Sequence, residues 1–143
     1  MVNIKNIDSK DFSNFIHMKL REYNDSNSPH HKAYRKEGEI KVLNFIAEDN
    51  GKCIGGIIAE AYWGWLNIEY LWVDENFRNN GIGNELLKKV ENIAIQNGCR
   101  KSQLFTFEFQ AKAFYQKYGY RIAGILEDYP PESSYYWMFK NLE

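Results

Sequence analysis

The alternation of apolar and polar positions is clearest between residues 66 and 98. Leu66–Val73 is an almost unbroken apolar and aromatic run, which is typical of a strand covered on both faces. A polar segment, Asp74–Asn80, follows without a periodic apolar face. The apolar residues then recur at helical spacing until Asn97-Gly98, which favours a helix stop. This stripe consists of Ile82, Leu86, Leu87, Val90, Ile93 and Ala94. The pattern predicts a buried strand, a glycine-bearing turn and an amphipathic helix.

The rest of the chain is divided by the same criteria. A helix is predicted to begin at Asp8 or Ser9, where either side chain would cap it, and a short helix is predicted within 31–38. Gln110–Tyr118 is predicted as a further short helix that Gly119 ends. The predicted strands are 2–7, Ile40–Glu48, Cys53–Tyr62, Lys101–Phe107, Arg121–Ile125 and Tyr135–Leu142. The predicted order is therefore β-α-α-β-β-β-α-β-α-β-β, a mixed α/β (α+β) pattern.

Two glycines, Gly81 and Gly83, stand at the mouth of the central helix. A helix start presents free backbone N–H groups and the positive end of the helix dipole, and glycine lets the backbone approach an anion. A dinucleotide fingerprint would need a third glycine near Leu86, and a Walker loop would need Gly-Lys-Ser/Thr; neither is present. The turn is thus predicted to bind a phosphate group by another motif, and a tight turn that binds nothing is the alternative.

Residues Arg78-Asn79-Asn80-Gly81-Ile82-Gly83 match an R-x-x-G-x-G pattern directly after the predicted strand. This stretch resembles the acetyl-CoA motif of the GNAT superfamily of acyl-CoA-dependent N-acetyltransferases. A second segment, Ala111–Tyr120, is similar to the family's later A-x-x-F-Y-x-x-x-G-[FY] pattern. The resemblance covers about half of the chain and implies one GNAT domain over 1–143, with a central, mostly antiparallel sheet flanked by helices.

The resemblance implies a binding site for acetyl-CoA as cosubstrate. Amides of residues 79–84 would bind the pyrophosphate, the strand end would line up with the pantetheine arm, and Arg78 would add positive charge. The implied cofactor-binding residues are Leu71, Trp72, Val73, Arg78, Asn79, Asn80, Gly81, Ile82, Gly83, Asn84 and Tyr115. Many members carry Asn three residues before the matching Ala, where this chain has Glu108. One cofactor contact is therefore in question.

Acetyl transfer to an amine needs a route for the amine proton and, for the departing sulfur, an acid. Tyr115 matches the family's tyrosine, and a phenol with a pKa near 10 can protonate a thiolate; packing in the core is its alternative role. Glu69 interrupts the apolar strand and shares a face with Leu71 and Val73, because side chains alternate. It is the candidate base, and a wet strand end or an ion pair is its alternative role.

The acceptor is predicted to be a primary amine of a small molecule, of a protein or of a peptide. Aromatic and acidic side chains are suited to a cationic or aromatic acceptor, although each aromatic residue alone is more often core. The candidates are Glu22, Trp63, Trp65, Tyr129 and Tyr136. Neither Cys53 nor Cys99 lies in a motif that activates a nucleophile, so direct attack is favoured over an acyl-enzyme. A non-catalytic acetyl-CoA or CoA sensor is the alternative function.

Composition restricts the partners. The net charge is −1 with both signs mixed along the chain, which argues against a nucleic-acid substrate. No apolar run approaches the roughly 20 residues that span a bilayer, and no signal-peptide core is present. A cytoplasmic protein with reduced cysteines is expected. The adjacent His30 and His31 lack a partner cluster, so no metal site is expected. Edge strands of such folds can pair between subunits, so a homodimer is compatible with the sequence.

Overall fold

The computed structural model describes residues 1–143, which divide into two compact units, 1–39 and 40–143. The first unit holds two helices, and the second holds a seven-stranded sheet, two further helices and a short 3-10 helix at Glu75–Phe77. The elements are α1 (Lys10–Asn27), α2 (Pro29–Ala33), β1 (Lys41–Val42), β2 (Phe45–Asp49), β3 (Lys52–Tyr62), β4 (Trp65–Val73), α3 (Ile82–Gln96), β5 (Lys101–Phe107), α4 (Lys112–Lys117), β6 (Arg121–Glu127) and β7 (Ser134–Asn141). The predicted fold class, a mixed sheet flanked by helices, is confirmed.

The amino-terminal unit begins differently from the prediction. Residues 2–7 form no strand, because no neighbouring strand pairs with their backbone groups. The predicted cap is confirmed at Ser9, whose hydroxyl accepts a hydrogen bond from the N–H of Phe12 at 3.3 Å. The next helix begins earlier than predicted, since Ser28 caps it and Pro29 occupies its first position. None of the helices combines the length and the apolar character that crossing a membrane would require.

In the second unit, the strands lie in the order β1-β3-β4-β5-β7-β6, and β2 also pairs with β3. Only the β4–β5 pair is parallel; all the others are antiparallel. The helix α3 packs its predicted stripe on this sheet, with Leu86, Leu87, Val90 and Ala94 buried. The stripe at helical spacing therefore forms the main hydrophobic contact of the unit.

The predicted strand Ile40–Glu48 is two short strands, β1 and β2, and the cause is Asn44. Its side-chain oxygen accepts a hydrogen bond from the N–H of Ala59 at 3.1 Å. A backbone carbonyl would fill that position in a continuous ladder, so the side chain interrupts the pairing. A backbone hydrogen bond from the Leu43 N–H to the Ala59 carbonyl at 2.9 Å still joins the segment between β1 and β2 to β3.

The two ends of β4 have different surroundings, which corrects the prediction of a strand covered on both faces. Residues Trp65–Ile68 pair with β5, whereas the following residues pair only with β3. A register shift opposite Ile58 and Ala59 leaves Glu69 as an extra residue, a β-bulge. In the second half Tyr70 is 68% exposed and Trp72 is 50% exposed. The strands β4 and β5 therefore separate at the bulge.

Candidate active site

The separation of β4 from β5 opens a cavity of about 1080 Å³ in the carboxyl-terminal unit. Its walls are the second half of β4, the turn after it, the start of α3, the end of β5 and the helix α4. In a parallel pair, both strands end at the same edge of the sheet, so the two free ends face a common space. Of the predicted cofactor-binding residues, the lining includes Leu71, Trp72, Val73, Arg78, Asn79, Gly81, Ile82, Gly83, Asn84 and Tyr115.

Free backbone N–H groups lie at the start of α3. No side chain caps this helix, and its first hydrogen bond runs from Glu85 N–H to the Gly81 carbonyl at 2.9 Å. The N–H groups of residues 82–84 precede that bond and have no helical partner. Gly81 has φ of +80°, a left-handed conformation that turns the chain into the helix. The resulting arrangement of amides suits an anion.

The side chain of Asn84 supports a ligand at this position. Its Oδ1 atom is buried and has no hydrogen-bond partner in the protein. A buried polar atom without a partner costs free energy, about 1–3 kcal/mol. Since Asn84 lines the cavity at the first turn of α3, a bound molecule with amide or hydroxyl groups would satisfy it.

The turn before α3 is held in shape by two of its own side chains. Arg78 donates from Nε to the Val73 carbonyl at 3.0 Å. Asn80 donates from Nδ2 to the carbonyls of Phe77 and Arg78 at 3.1 and 3.3 Å. Asn80 does not line the cavity, so the structure gives it a supporting position within the turn. Arg78 as a whole is exposed and lines the cavity together with the residues at the start of α3.

Gly83 packs closely against α4. A Cβ atom at this position would lie 3.3 Å from the Cζ atom of Phe114 on α4. The Phe114 ring would have to move by a few tenths of an ångström to accept a larger residue here. The second glycine of the motif thus has a packing reason as well as an anion-binding one.

Tyr115 lies on α4, is only 6% exposed and lines the cavity. Its ring makes edge contacts with Phe114 and Tyr120 at centroid distances of 5.3 and 5.7 Å. Burial raises the pKa of Tyr115 to about 12. The phenol therefore keeps its proton over the whole range in which enzymes ordinarily operate, which suits a hydrogen-bond donor.

Glu69 lines the same cavity from the β4 bulge. The structure leaves it exposed, which corrects the expectation of an apolar, covered strand around it. Because the side chain is exposed, its carboxylate stays hydrated. The bulge that contains Glu69 lies where β4 stops pairing with β5. The candidate acid and the candidate base therefore line one space.

Residues 2–120 match the sequence model described as the acetyltransferase (GNAT) family. The chain belongs to the GNAT family of acetyltransferases. It is thus an enzyme of acetyl transfer.

Three relatives illustrate the range of similarity. Blasticidin-S acetyltransferase of Streptomyces morookaense is 34% identical over 131 residues, which is 87% of this chain and 96% of that protein. The crystal structure of an acetyltransferase from Bacillus cereus is 33% identical with a TM-score of 0.82, covering 99% of this chain and 98% of that one. An aminoglycoside 6′-N-acetyltransferase complexed with coenzyme A has the same fold at 21% identity, with a TM-score of 0.64 over 87% and 84% of the two chains.

Glu108 occupies the position where many GNAT members have Asn, and the structure gives it other partners. Its carboxylate pairs with Lys112 at 3.4 Å, and Lys112 also bonds the Tyr136 hydroxyl at 3.3 Å. A hydrogen bond with Tyr136, together with the Lys112 charge, lowers the pKa of Glu108. Glu108 does not line the cavity, so its charge is compensated by the start of α4 instead of facing the GNAT cofactor site.

Two of the predicted acceptor residues lie outside the cavity. Trp63 lies in the β3–β4 turn and Trp65 begins β4, about 20 Å along the strand from Leu71 at 3.3 Å per residue. Neither lines the cavity, so the structure does not bring these two tryptophans together with Tyr115. Glu22 lies on α1 in the amino-terminal unit, where it pairs with Lys19 at 3.5 Å.

The two tyrosines among these candidates, Tyr129 and Tyr136, do not line the cavity themselves. Tyr136 is buried, and its hydroxyl contacts Lys112. Tyr129 is 54% exposed, and its ring lies 5.4 Å from that of Tyr135, which lines the cavity.

Sequence reasoning missed the aromatic wall of this cavity. It is formed by Phe105, Phe107, Phe109 and Tyr135. Phe105 and Phe107 alternate on a predicted strand, which places both on one face. Tyr135 on β7 lies opposite Phe107, 28 positions away in the sequence, and only the pairing register could have identified it.

A glutamine next to this wall was also missed. The Oε1 atom of Gln110 accepts a hydrogen bond from Phe107 N–H at 2.8 Å and another from the Thr106 hydroxyl at 3.3 Å. These two bonds fix the end of β5 where it turns into α4.

Proposed function

We propose that this GNAT enzyme transfers an acetyl group from acetyl-CoA to the primary amine of a small molecule by direct attack. One observation carries the proposal: a single cavity joins the free amides at the start of α3 to Tyr115 and Glu69. The same cavity thus offers an anion site, a proton donor and a proton acceptor. The match to the family spans residues 2–120, which supports one catalytic domain over 1–143.

The residues present fit the cosubstrate. The amides of residues 82–84 and the guanidinium of Arg78 suit a pyrophosphate. The Oδ1 atom of Asn84, buried without a partner, suits a donor of the pantetheine arm. The parted strand ends offer backbone groups along the space between them. Acetyl-CoA supplies a thioester, whose acetyl carbon is the electrophile and whose thiol leaves.

Two residues accept and donate the protons of the proposed reaction. The Glu69 carboxylate takes a proton from the acceptor ammonium, directly or through water, and leaves a neutral amine. The amine nitrogen forms a bond to the acetyl carbon as the carbon–sulfur bond breaks. The Tyr115 hydroxyl donates its proton to the departing sulfur, and the second amine proton passes to solvent. The products are an amide and a free thiol.

Direct attack is supported by the positions of both cysteines. Cys53 is exposed on β3 and Cys99 is buried after α3, and neither lines the cavity. Burial raises the pKa of Cys99, so the thiol form predominates and a thiolate nucleophile is disfavoured. These positions favour direct attack over an acyl-cysteine intermediate.

A small-molecule acceptor is favoured over a protein amine by the relatives. The protein from Streptomyces morookaense, which matches 87% of this chain, is described as an acetyltransferase of blasticidin S. The cavity is also a concave space between two strands, which suits a compact ligand.

The proposal is tested by titrating the protein with acetyl-CoA in a calorimeter and then assaying free thiol with a panel of primary amines. Micromolar binding and amine-dependent thiol release are expected. The Gly83→Trp variant should lose binding because its side chain enters the space between α3 and Phe114. Gly124→Ala, on β6 outside the cavity, is the control for a glycine replacement, because an added Cβ there meets only an ordinary contact with Trp137 at 3.7 Å. A folded wild-type protein that binds no acetyl-CoA would contradict the proposal.

A further inference from the structure

Six aromatic side chains form a connected group on β5, β7 and the loops after β5 and β6, and we call it the aromatic ladder. It consists of Trp137, Phe105, Tyr135, Phe107, Phe109 and Tyr129. Four of the ring pairs are nearly parallel, with interplanar angles between 4° and 18°. The strand register sets Phe105 opposite Trp137, with nearly parallel rings, and Phe107 opposite Tyr135, with rings tilted by 43°.

The ladder is exposed although it is apolar. Phe105 is 52% exposed, Phe109 is 70% exposed and Tyr129 is 54% exposed. Aromatic side chains gain free energy from burial, so ring faces open to solvent are available to a ligand. Since several of these rings also line the cavity, the exposed group continues into the proposed reaction space.

Hydrogen bonds hold one end of the ladder in place. The indole N–H of Trp137 donates to Gln103 at 3.0 Å, and Gln103 donates in turn to Asn67 at 2.7 Å. These bonds link β7, β5 and β4 at the paired end of the sheet. Because the Trp137 ring is positioned by the protein, less of its conformational entropy is lost when a ligand binds.

The other wall of the cavity complements the ladder. Tyr70, 68% exposed on β4, and Glu69 line the cavity together with Phe105. The cationic lining residues, Arg78 and Lys117, belong to the turn before α3 and to α4. The only carboxylate in the lining is Glu69. The β4–β5 mouth thus combines ring faces with one negative charge.

We infer that the aromatic ladder is the acceptor subsite and that it binds a flat aromatic or heteroaromatic ring carrying a primary amine on a short aliphatic arm. The ring stacks on the exposed faces of the ladder, and the ammonium group lies toward Glu69. This inference rests on the proposed function and adds the chemical class of the acceptor to it.

A matched pair of amines tests the inference. The probes are 2-phenylethylamine and 2-cyclohexylethylamine, which share a carbon skeleton and differ in whether the ring is aromatic. We expect kcat/KM for the aromatic amine to be about five- to tenfold higher, in the range of one aromatic stacking contact. Thiol release is measured at saturating acetyl-CoA.

Two leucine variants and one control locate the effect. Phe105→Leu and Phe109→Leu keep apolar bulk but remove a ring, and each should raise KM for 2-phenylethylamine several-fold without changing KM for acetyl-CoA. Phe139→Leu is the control, because Phe139 is on β7 outside the cavity and packs under Arg121 at 4.8 Å. It should leave the preference for the aromatic amine unchanged.

The outcomes separate the inference from the proposed function. Amine acetylation without a preference for the aromatic ring, or with a preference that neither ladder variant lowers, overturns the inference and leaves the proposed function intact. Absence of acetyl-CoA binding, or of thiol release with every amine of the panel, overturns the proposed function and the inference with it. A preference lost in both ladder variants and kept in Phe139→Leu supports both.

Discussion

Tyr115 and Tyr120 are neighbours with the same chemistry and different surroundings. Their rings meet edge to face at 5.7 Å, and both are almost fully buried. The Tyr120 hydroxyl donates to Glu91 at 2.8 Å and lies 2.7 Å from the Ser102 hydroxyl, and Lys140 completes the group with an ion pair to Glu91. Tyr115 instead lines the cavity, and only burial raises its pKa.

The difference separates a structural polar group from one that we propose to be functional. Polar atoms whose partners are all in the protein stabilise the fold, as expected for buried networks. In the candidate site, by contrast, Tyr115 and the buried Asn84 oxygen face a space that a ligand would fill. The hydrogen-bond partners of the two hydroxyl groups therefore distinguish two tyrosines that lie five residues apart in the sequence.

Replacing Tyr115 by Phe should have the largest effect. We expect kcat to fall about 100-fold, in the range of general acid catalysis, while the acetyl-CoA Kd changes little because the ring remains. Steady-state kinetics and calorimetry measure the two quantities. Tyr120→Phe is the matched control and should keep kcat within about twofold. Equal turnover of wild type and Tyr115→Phe across pH would remove Tyr115 from the mechanism.

Replacing Glu69 by Gln should have a smaller and pH-dependent effect. We expect kcat/KM to fall about tenfold near pH 7, where the acceptor amine is protonated. The loss should shrink toward pH 10, because an amine with a pKa near 10.4 then releases its proton unaided. Glu60→Gln, on β3 outside the cavity, is the control. A loss that stays constant over this range would show that Glu69 is not the base.

Tyr120→Phe should reverse the pattern by lowering stability. It removes the bond to the Glu91 carboxylate, and the free energy of unfolding should fall by about 2 kcal/mol. Urea unfolding gives this value from the shift in midpoint at constant slope. Tyr115→Phe should cost less, since its hydroxyl has no such bond to a charged partner. A larger loss in Tyr115→Phe than in Tyr120→Phe would undo the distinction between the two tyrosines.

The smallest effect is expected in the free energy of unfolding at alkaline pH, where both phenols lose their protons. Burial raises the pKa of Tyr115 to about 12, and burial beside Glu91 raises that of Tyr120. Below pH 10 both phenols are protonated in the folded and unfolded chains, so their contribution is fully present. As the pH rises from 10 toward 12, the unfolded chain loses protons first, so the free energy of unfolding falls.

One ionising group changes that slope by at most about 1.4 kcal/mol per pH unit. Tyr115→Phe should therefore flatten the decline by up to this amount in urea titrations at pH 9, 10 and 11. Cys99, whose pKa burial also raises, contributes equally to both proteins and cancels in the comparison. Parallel curves for wild type and variant would mean that Tyr115 titrates in the folded protein as it does in the unfolded chain.

Local signals predicted the elements that carry the motif. The stripe of α3, the Ser9 cap and the strands β3, β5 and β7 lie within two residues of their predicted bounds. Each depends on side-chain period or on a hydroxyl near a helix start, which neighbours in sequence determine. The turn with Gly81 and Gly83 was predicted for the same reason.

Features that depend on distant partners were not predicted. Residues 2–7 alternate like a strand but pair with nothing, and Asn44 interrupts a ladder through a contact with Ala59, 15 positions away. The exposure of β4 after Ile68 depends on where β5 stops pairing with it. The sequence of one strand does not indicate how far the neighbouring strand extends beside it.

The sequence by itself determined the order of most elements, the GNAT resemblance and the two segments that would hold the cosubstrate. These follow from short-range periodicity and from residues whose backbone conformation is special, such as glycine at positive φ. Tertiary structure alone decided that β4 and β5 part at the Glu69 bulge, that Tyr115 faces the opening while Tyr120 is tied to Glu91, and that an aromatic wall from two strands completes the site. The reason is that cavities form between elements, and the register of strand pairing, which spans dozens of residues, sets which side chains meet there.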